Sequence, residues 1–268
     1  KDEYESLCRV YTAMRAAGNK TPAIGFICPF GDPRPVLHRV WQDLYQPGLW
    51  RALWFRWEGK PLILANSEFV DDPVIRAFFT FRRPMPDYWI GPSGPDQWSW
   101  LEVHPQHIFR NRQGVAEQMS VGVAQNALPN TPGPAPMSHH RGAMGRSWHN
   151  GSRDRRDGAV NLGLNFDAQW RRAIDVNPKF IFVTGWNEWV AGRYSKWHIY
   201  TDQDTYFPGG LFVDQYNQEY SRDCEPMAGG HTDNYYYQLA SWVRQFKGVR
   251  HLISIGRIIS RASAELRN

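Results

Sequence analysis

Residues 180–189 read Phe-Ile-Phe-Val-Thr-Gly-Trp-Asn-Glu-Trp. The apolar first half is typical of a β-strand that is buried on both faces, as strands of parallel sheets are. It runs directly into polar and aromatic residues at its carboxyl end, where parallel α/β proteins place their binding and catalytic side chains. The stretch therefore predicts a parallel α/β fold with a functional residue at Glu188.

Helical and strand-like patterns alternate along most of the chain, which supports the same fold class. Helices are predicted over residues 3–17, 36–45, 72–79, 166–174 and 234–246. Strands are predicted over residues 23–30, 61–65, 88–90, 99–103, 119–124, 179–185 and 211–213, and residues 53–57 and 61–65 flank a turn predicted at Glu58-Gly59. Residues 127–156, rich in Pro, Gly, Ser and His, are predicted to form a functional loop.

The prediction contains about six or seven core strands, fewer than the eight of a closed barrel. The chain also begins on a helix. We therefore expect a (β/α)8 TIM-type barrel that lacks one or two N-terminal βα units, over residues 1–250. Residues 251–268 are expected to form a basic C-terminal tail.

Composition narrows the class of function. The chain has 13 Trp, 12 Tyr and 14 Phe residues, many of the Trp beside Gly, Pro, Asn or Asp, which favours stacking on a ligand. The net charge of +5 comes from scattered residues, so no nucleic-acid surface is predicted. No apolar run is long enough to span a membrane. No phosphate-binding or dinucleotide motif and no zinc spacing of the three Cys is present, so we expect no cofactor and no metal.

Glu188 carries the clearest chemical signal. A carboxyl group between two indole rings at the end of a buried strand is partly desolvated, which raises its pKa toward the range of a general acid. The competing interpretation is a helix N-cap with an ion-paired Glu. The two large aromatic neighbours favour catalysis.

The motif Trp186-Asn187-Glu188-Trp189 resembles the strand end of glycoside hydrolase family 99 and of its WbsX-like, glycan-processing relatives. Weaker likeness lies in residues 59–64 and 213–219, and most of residues 1–250 resembles bacterial barrel proteins of this type. The resemblance implies a (β/α)8 barrel that acts on α-mannoside-type linkages with two glutamates. The first corresponds to Glu188, but the second falls at Ala191.

Glycoside cleavage normally needs two carboxyl groups. We expect Asp214 or Glu219 to supply the second, with Glu102 as the next candidate. Other polar and aromatic residues near predicted strand ends are expected to bind substrate: Trp186, Asn187, Trp189, Arg146, Trp148, Glu102, His104, Gln125, Asn126 and Asp32.

The sequence thus predicts a glycoside hydrolase acting on a polysaccharide or glycan. From that substrate class we expect a periplasmic or secreted location. Two alternatives are a non-catalytic glycan-binding barrel and a glycosyltransferase-associated protein of a polysaccharide locus. A weaker one is a metal-dependent hydrolase that uses His139, His140 or His149.

Overall fold

The structure is a computed structural model that describes residues 2–85, 88–126, 135–139, 143–188, 191–197 and 205–248. Trp189, His140 and the predicted tail at 251–268 lie outside these residues. Within the described part, no helix is both long and apolar enough to cross a bilayer. The chain divides into two compact units. The first is Lys1–Asp87, Gly91–Trp100 and Phe109–Val115, and the second is Tyr88–Ile90, Leu101–Ile108 and Ala116–Asn268.

Within its described residues, the first unit holds three α-helices and six strands. The helices are α1 (Asp2–Ala16), α2 (Arg34–Val40), which continues as a π-helical turn over Trp41–Tyr45, and α3 (Pro73–Phe78). The strands are β1 (Phe26–Ile27), β2 (Arg56–Trp57), β3 (Lys60–Leu64), β4 (Thr80–Met85), β5 (Gln97–Ser99) and β6 (Phe109–Arg110).

Four strands of this unit form a parallel sheet in the order β1-β3-β4-β5. β2 pairs antiparallel with β3 through a tight turn at Glu58-Gly59, where both residues have positive φ as a type I′ hairpin requires. Asp72 caps α3, because its carboxylate accepts hydrogen bonds from the Val74 and Ile75 amides. The turn was predicted from the sequence.

The second unit holds two α-helices and six strands within its described residues. The helices are α4 (Leu164–Val176) and α5 (Asn234–Phe246). The strands are β7 (Ala116–Gly122), β8 (Trp148–His149), β9 (Ser152–Arg153), β10 (Phe180–Thr184), β11 (Arg193–Trp197) and β12 (Thr205–Phe212).

Strands β7 and β10 are parallel and in register from Phe180 opposite Gln118 to Thr184 opposite Gly122. Met119 and Val121 of β7 are fully buried in a cluster with Phe166 and Trp170 of α4, against which α5 also packs. A parallel strand pair covered by helices is the α/β arrangement predicted from the sequence. That fold class is confirmed.

Three strand predictions need correction. Tyr88–Ile90 is a turn, with Ile90 77% exposed and Gly91-Pro92 ending any extended run. The predicted strand 99–103 lies earlier, at Gln97–Ser99. The predicted core strand 211–213 is the end of β12, which pairs antiparallel with β11 in a largely exposed hairpin. Short apolar runs do not reveal their pairing partner, which is why the sequence misplaced them.

Candidate active site

The backbone at the end of β10 is fixed by a glycine. Gly185 has φ +86°, and a Cβ at this position would lie 2.3 Å from the carbonyl oxygen of Arg222. The amides of Cys224 and Glu225 donate to the carbonyls of Gly185 (2.7 Å) and Trp186 (3.0 Å). Residues 222–225 therefore lie directly against the chain that leads to Glu188.

This contact brings Glu188 beside a second carboxyl group. Asp214, two residues after β12, is 1% exposed and is hydrogen-bonded to Glu188. The Arg222 guanidinium donates to both: Nε lies 2.6 Å from Asp214 Oδ1, and Nη2 lies 3.0 Å from Glu188 Oε2. Arg222 reaches one Glu188 oxygen through one nitrogen, so it does not clamp that carboxyl group in a bidentate pair.

Asp223 adds a third carboxyl group to this cluster. It is 2% exposed and lies against Asp214, with a hydrogen bond between the two side chains. As carboxylates, Asp214 Oδ2 and both Asp223 oxygens would have no donor. A proton on Asp223 makes this group a donor toward Asp214. We call Glu188, Asp214 and Asp223 the carboxyl row, and Glu188 is its exposed end because about a third of its side chain (36%) reaches solvent.

Burial shifts the proton affinities of the row. It raises the pKa of Glu188, an effect that Arg222 opposes and Asp214 reinforces. Burial and the neighbouring Asp214 raise the pKa of Asp223 to about 8. Carboxyl groups with raised pKa values can carry a proton near neutral pH, which is what a general acid must do.

Asp223→Asn is expected to stabilise the fold increasingly as pH rises. The Asp223 pKa is about 8 in the folded chain and ~3.9 when unfolded. Below both values each state binds the proton, and Asn, which mimics the protonated form, changes little. Between them the unfolded chain alone releases the proton, so wild-type stability falls and the gain from Asn grows. Thermal unfolding of the wild type and of Asp223→Asn from pH 4 to 9 measures this gain in stability.

Asp154→Asn is the matched control for this measurement. Asp154 is hydrogen-bonded to Arg156, and this partner lowers its pKa to about 2. A lowered pKa stabilises the fold above the unfolded pKa, so Asn at 154 should give no gain at neutral pH. A melting-temperature gain at Asp223→Asn that is the same at pH 4 and pH 9 would contradict a buried, protonated Asp223.

Behind the row, Arg146 holds residues 221–223 in place. Its guanidinium is fully buried, donates to the Ser221 carbonyl (3.2 Å), the Asp223 carbonyl and His231 (2.8 Å), and lies 4.2 Å from the Tyr235 ring centroid. Burial and the Arg146 charge lower the pKa of His231 to about 4, so its ring is neutral and accepts the hydrogen bond. The prediction that Arg146 binds substrate is replaced by this internal role, since protein groups occupy its donors.

Glu219 holds in place the loop that contains Gly145 and Ser147. Its Oε1 accepts hydrogen bonds from the Ser147 hydroxyl (2.7 Å) and amide (3.2 Å), and Arg153 Nε lies 3.6 Å away. A Cβ at Gly145 would lie 2.3 Å from the same oxygen, so the loop packs tightly on it. Of the two partners predicted for Glu188, the structure brings Asp214 to it and gives Glu219 these other contacts.

Of the remaining polar candidates of the second unit, Glu102, Gln125 and Asn126 are buried and His104 is exposed. Glu102 is fully buried, with Oε2 2.7 Å from His107 Nδ1, and Gln125 Oε1 accepts from the His104 amide (2.8 Å). Asn126 Nδ2 donates to the carbonyl of Val213 (3.3 Å), the residue before Asp214. Asn126 therefore supports the backbone of the carboxyl row.

Aromatic candidates differ in exposure. Trp186 is 45% exposed and meets Tyr236 of α5 edge to face, with ring centroids 6.0 Å apart. Trp148 in β8 and Asn187 are half-buried, and Trp189 is outside the described residues. The partly exposed ring of Trp186 offers a flat apolar face two residues before Glu188 in the chain.

Asp32 belongs to the first unit. It is exposed and pairs with Arg34, with 2.7 Å between Oδ2 and Nη2. This local contact, two residues along the chain, explains its position without a ligand. As for metals, no group of three or more His, Cys, Asp or Glu within the described ranges has a metal-binding arrangement.

Three residues of the site were missed as functional candidates. They are Arg222, Asp223 and Tyr236, none of which was selected as a catalytic or substrate-binding residue. The available signal was the adjacent pair Arg222-Asp223 in the polar segment after the predicted strand end. The sequence does not show that this run folds back onto Gly185.

Comparison with known proteins gives one kind of match. Two solved structures of the GH99 endo-alpha-mannosidase from Bacteroides thetaiotaomicron, one in complex with BIS-TRIS-propane, are similar to this chain at 16% identity and a TM-score of 0.41. They cover 87% and 85% of this chain, and the chain covers 68% and 71% of theirs. No protein-family profile and no curated protein matches the sequence. These structures belong to the family that the Trp-Asn-Glu-Trp motif resembles, and the function has to be argued from this chain's own side chains.

Proposed function

We propose that this chain is a glycan-processing enzyme that cleaves glycosidic bonds by general acid–base catalysis at Glu188. The observation that carries the proposal is the carboxyl row: a partly exposed Glu hydrogen-bonded to a buried Asp, with one guanidinium across both. The exposed Trp186 beside it offers a stacking surface for a sugar ring.

Each carboxyl group has a distinct task in this proposal. Glu188 donates its proton to the glycosidic oxygen as the bond breaks, and afterwards accepts one from water. Asp214 is bonded to Glu188 directly, closer than the roughly 5 Å that separates two carboxyl groups flanking a scissile bond. Asp214 therefore positions Glu188.

The proposal also covers the fold and the cellular location of the protein. The fold is taken to be a (β/α)8-type barrel. Substrate then binds at the carboxyl ends of the strands, where Glu188 lies. A polysaccharide substrate implies a periplasmic or secreted protein.

The direct test is release of new reducing ends from a panel of manno-, gluco- and chito-configured oligosaccharides between pH 4 and 9. A general acid must be protonated, so turnover should fall as pH rises through the pKa of Glu188. Because that pKa is raised, the fall should occur above the pH expected for an ordinary Glu. No product from any glycan at any pH would overturn the proposal.

A non-catalytic glycan-binding protein is the second candidate. The observation that favours it is Ala191, which stands where the resembling family has its second glutamate. This candidate predicts that oligosaccharides bind, measured by titration calorimetry, and that mass spectrometry detects no shortened product. The two measurements on the same panel separate binding from cleavage.

A further inference from the structure

One cavity is lined by residues that are adjacent in sequence to Asp214 and Arg222. It has a volume of about 370 Å³ and is lined by Phe212, Gln215, Tyr216, Asn217, Gln218, Ser221 and Met227. Phe212 directly precedes Val213-Asp214, and Ser221 directly precedes Arg222. The two chain segments that carry Asp214 and Asp223 of the row therefore also supply walls of this cavity.

The aromatic wall consists of two partly exposed rings. Phe212 is 37% exposed and Tyr216 46% exposed, with ring centroids 6.2 Å apart and planes inclined by 30°. Rings that lie nearly parallel and face solvent present one continuous apolar surface. Such a surface suits the C–H face of a pyranose ring.

The loop that carries Tyr216 is a tight, internally bonded turn. The Tyr216 amide donates to the Tyr220 carbonyl (2.9 Å), and Gln215 bridges to Ser221. Asn217 Oδ1 accepts from the amides of Glu219 (3.0 Å) and Tyr220 (2.9 Å). The ring of Tyr216 is thus displayed on a pre-organised turn, which lowers the entropy cost of binding.

The polar groups of the cavity are uncharged. The lining residues include three side-chain amides and the two hydroxyls of Tyr216 and Ser221, and none of them is Asp, Glu, Lys or Arg. Amides donate and accept hydrogen bonds, as neutral sugar hydroxyls require. An anionic sugar would find no countercharge among these lining residues.

We propose that this cavity is a subsite for one ring of a neutral saccharide, stacked on Tyr216 and Phe212 and hydrogen-bonded by Gln215, Asn217 and Gln218. The proposal rests on the proposed function, because it places a glycan next to Glu188. It adds that the glycan is uncharged at this position. It also makes Tyr216 a residue that determines affinity.

The test compares Tyr216→Ala and Tyr216→Phe with Tyr206→Ala, which removes an exposed Tyr from β12 outside the cavity. Titration calorimetry measures Kd for neutral manno-, cello- and chito-oligosaccharides of two to five units and for sulfated and uronate-containing analogues. We expect Tyr216→Ala to weaken binding of a neutral oligosaccharide about tenfold, the size of one aromatic contact. Tyr216→Phe and Tyr206→Ala should stay within about twofold of wild type.

Because binding does not require turnover, the measurements can contradict the subsite proposal and the hydrolase proposal independently of each other. A tenfold loss at Tyr216→Ala without product formation supports the subsite and contradicts cleavage. Product formation with equal Kd for wild type and Tyr216→Ala overturns the subsite. Preference for charged analogues, or no binding by the wild type, also overturns it.

Discussion

Glu188→Gln is expected to lower glycan cleavage by about 10²–10⁴-fold, the range for loss of a positioned general acid. Gln keeps the shape and a hydrogen-bonding capacity toward Asp214 and Arg222, but it cannot donate the proton. Since the side chain is about a third exposed (36%), the fold should survive the change. Initial rates of reducing-end release, with binding measured in parallel, give the result.

Glu68→Gln serves as the control for that substitution. Glu68 belongs to the first unit, and its side chain is 76% exposed. Its loss should leave the rate within about twofold of wild type, in line with the small effects of surface substitutions. Equal rates for Glu188→Gln and wild type would remove Glu188 from the mechanism, while unchanged binding without any turnover in the wild type would favour the glycan-binding alternative.

Arg222→Gln is expected to destabilise the fold by about 3–5 kcal/mol, because it leaves buried carboxylates without their countercharge. Arg222 is 5% exposed and reaches both Asp214 and Glu188. The buried row would have to take up protons to compensate, so the loss should be larger at pH 8 than at pH 5. Urea unfolding at the two pH values measures both effects.

The matched control is Arg171→Gln on the surface of α4. Arg171 pairs with Asp167 at 2.6 Å, four residues earlier on the same helix, and its side chain is 68% exposed. An exposed pair of this kind contributes about 0.5 kcal/mol or less. If Arg222→Gln cost no more than Arg171→Gln, the buried row would not depend on its guanidinium.

Local features of the fold were predictable because their signals lie within a few residues. Helix α5 occupies Asn234–Phe246 as its periodicity predicts, and Asp72 caps α3 as its position before Pro73 predicts. Strand β10 follows from its apolar run. In each case, hydrophobic pattern and local hydrogen bonding are enough.

The arrangement of the site was not predictable in the same way. Glu188 was selected from its neighbours in the chain, but its contact with Arg222 joins residues 34 positions apart. Asp214 and Glu219 looked equivalent in the sequence, since both follow a predicted strand. Only the backbone pairing of residues 222–225 with Gly185 and Trp186 distinguishes them. Contacts of this kind depend on the path of the whole chain.

The main-chain hydrogen bonds from Cys224 and Glu225 to Gly185 and Trp186 do not involve the side chains at positions 186 and 187. The acidic groups are located by the backbone, whatever side chains stand at positions 186 and 187. Under the proposed function, substitutions at these two positions are therefore expected to change which sugar binds while the carboxyl row keeps its geometry.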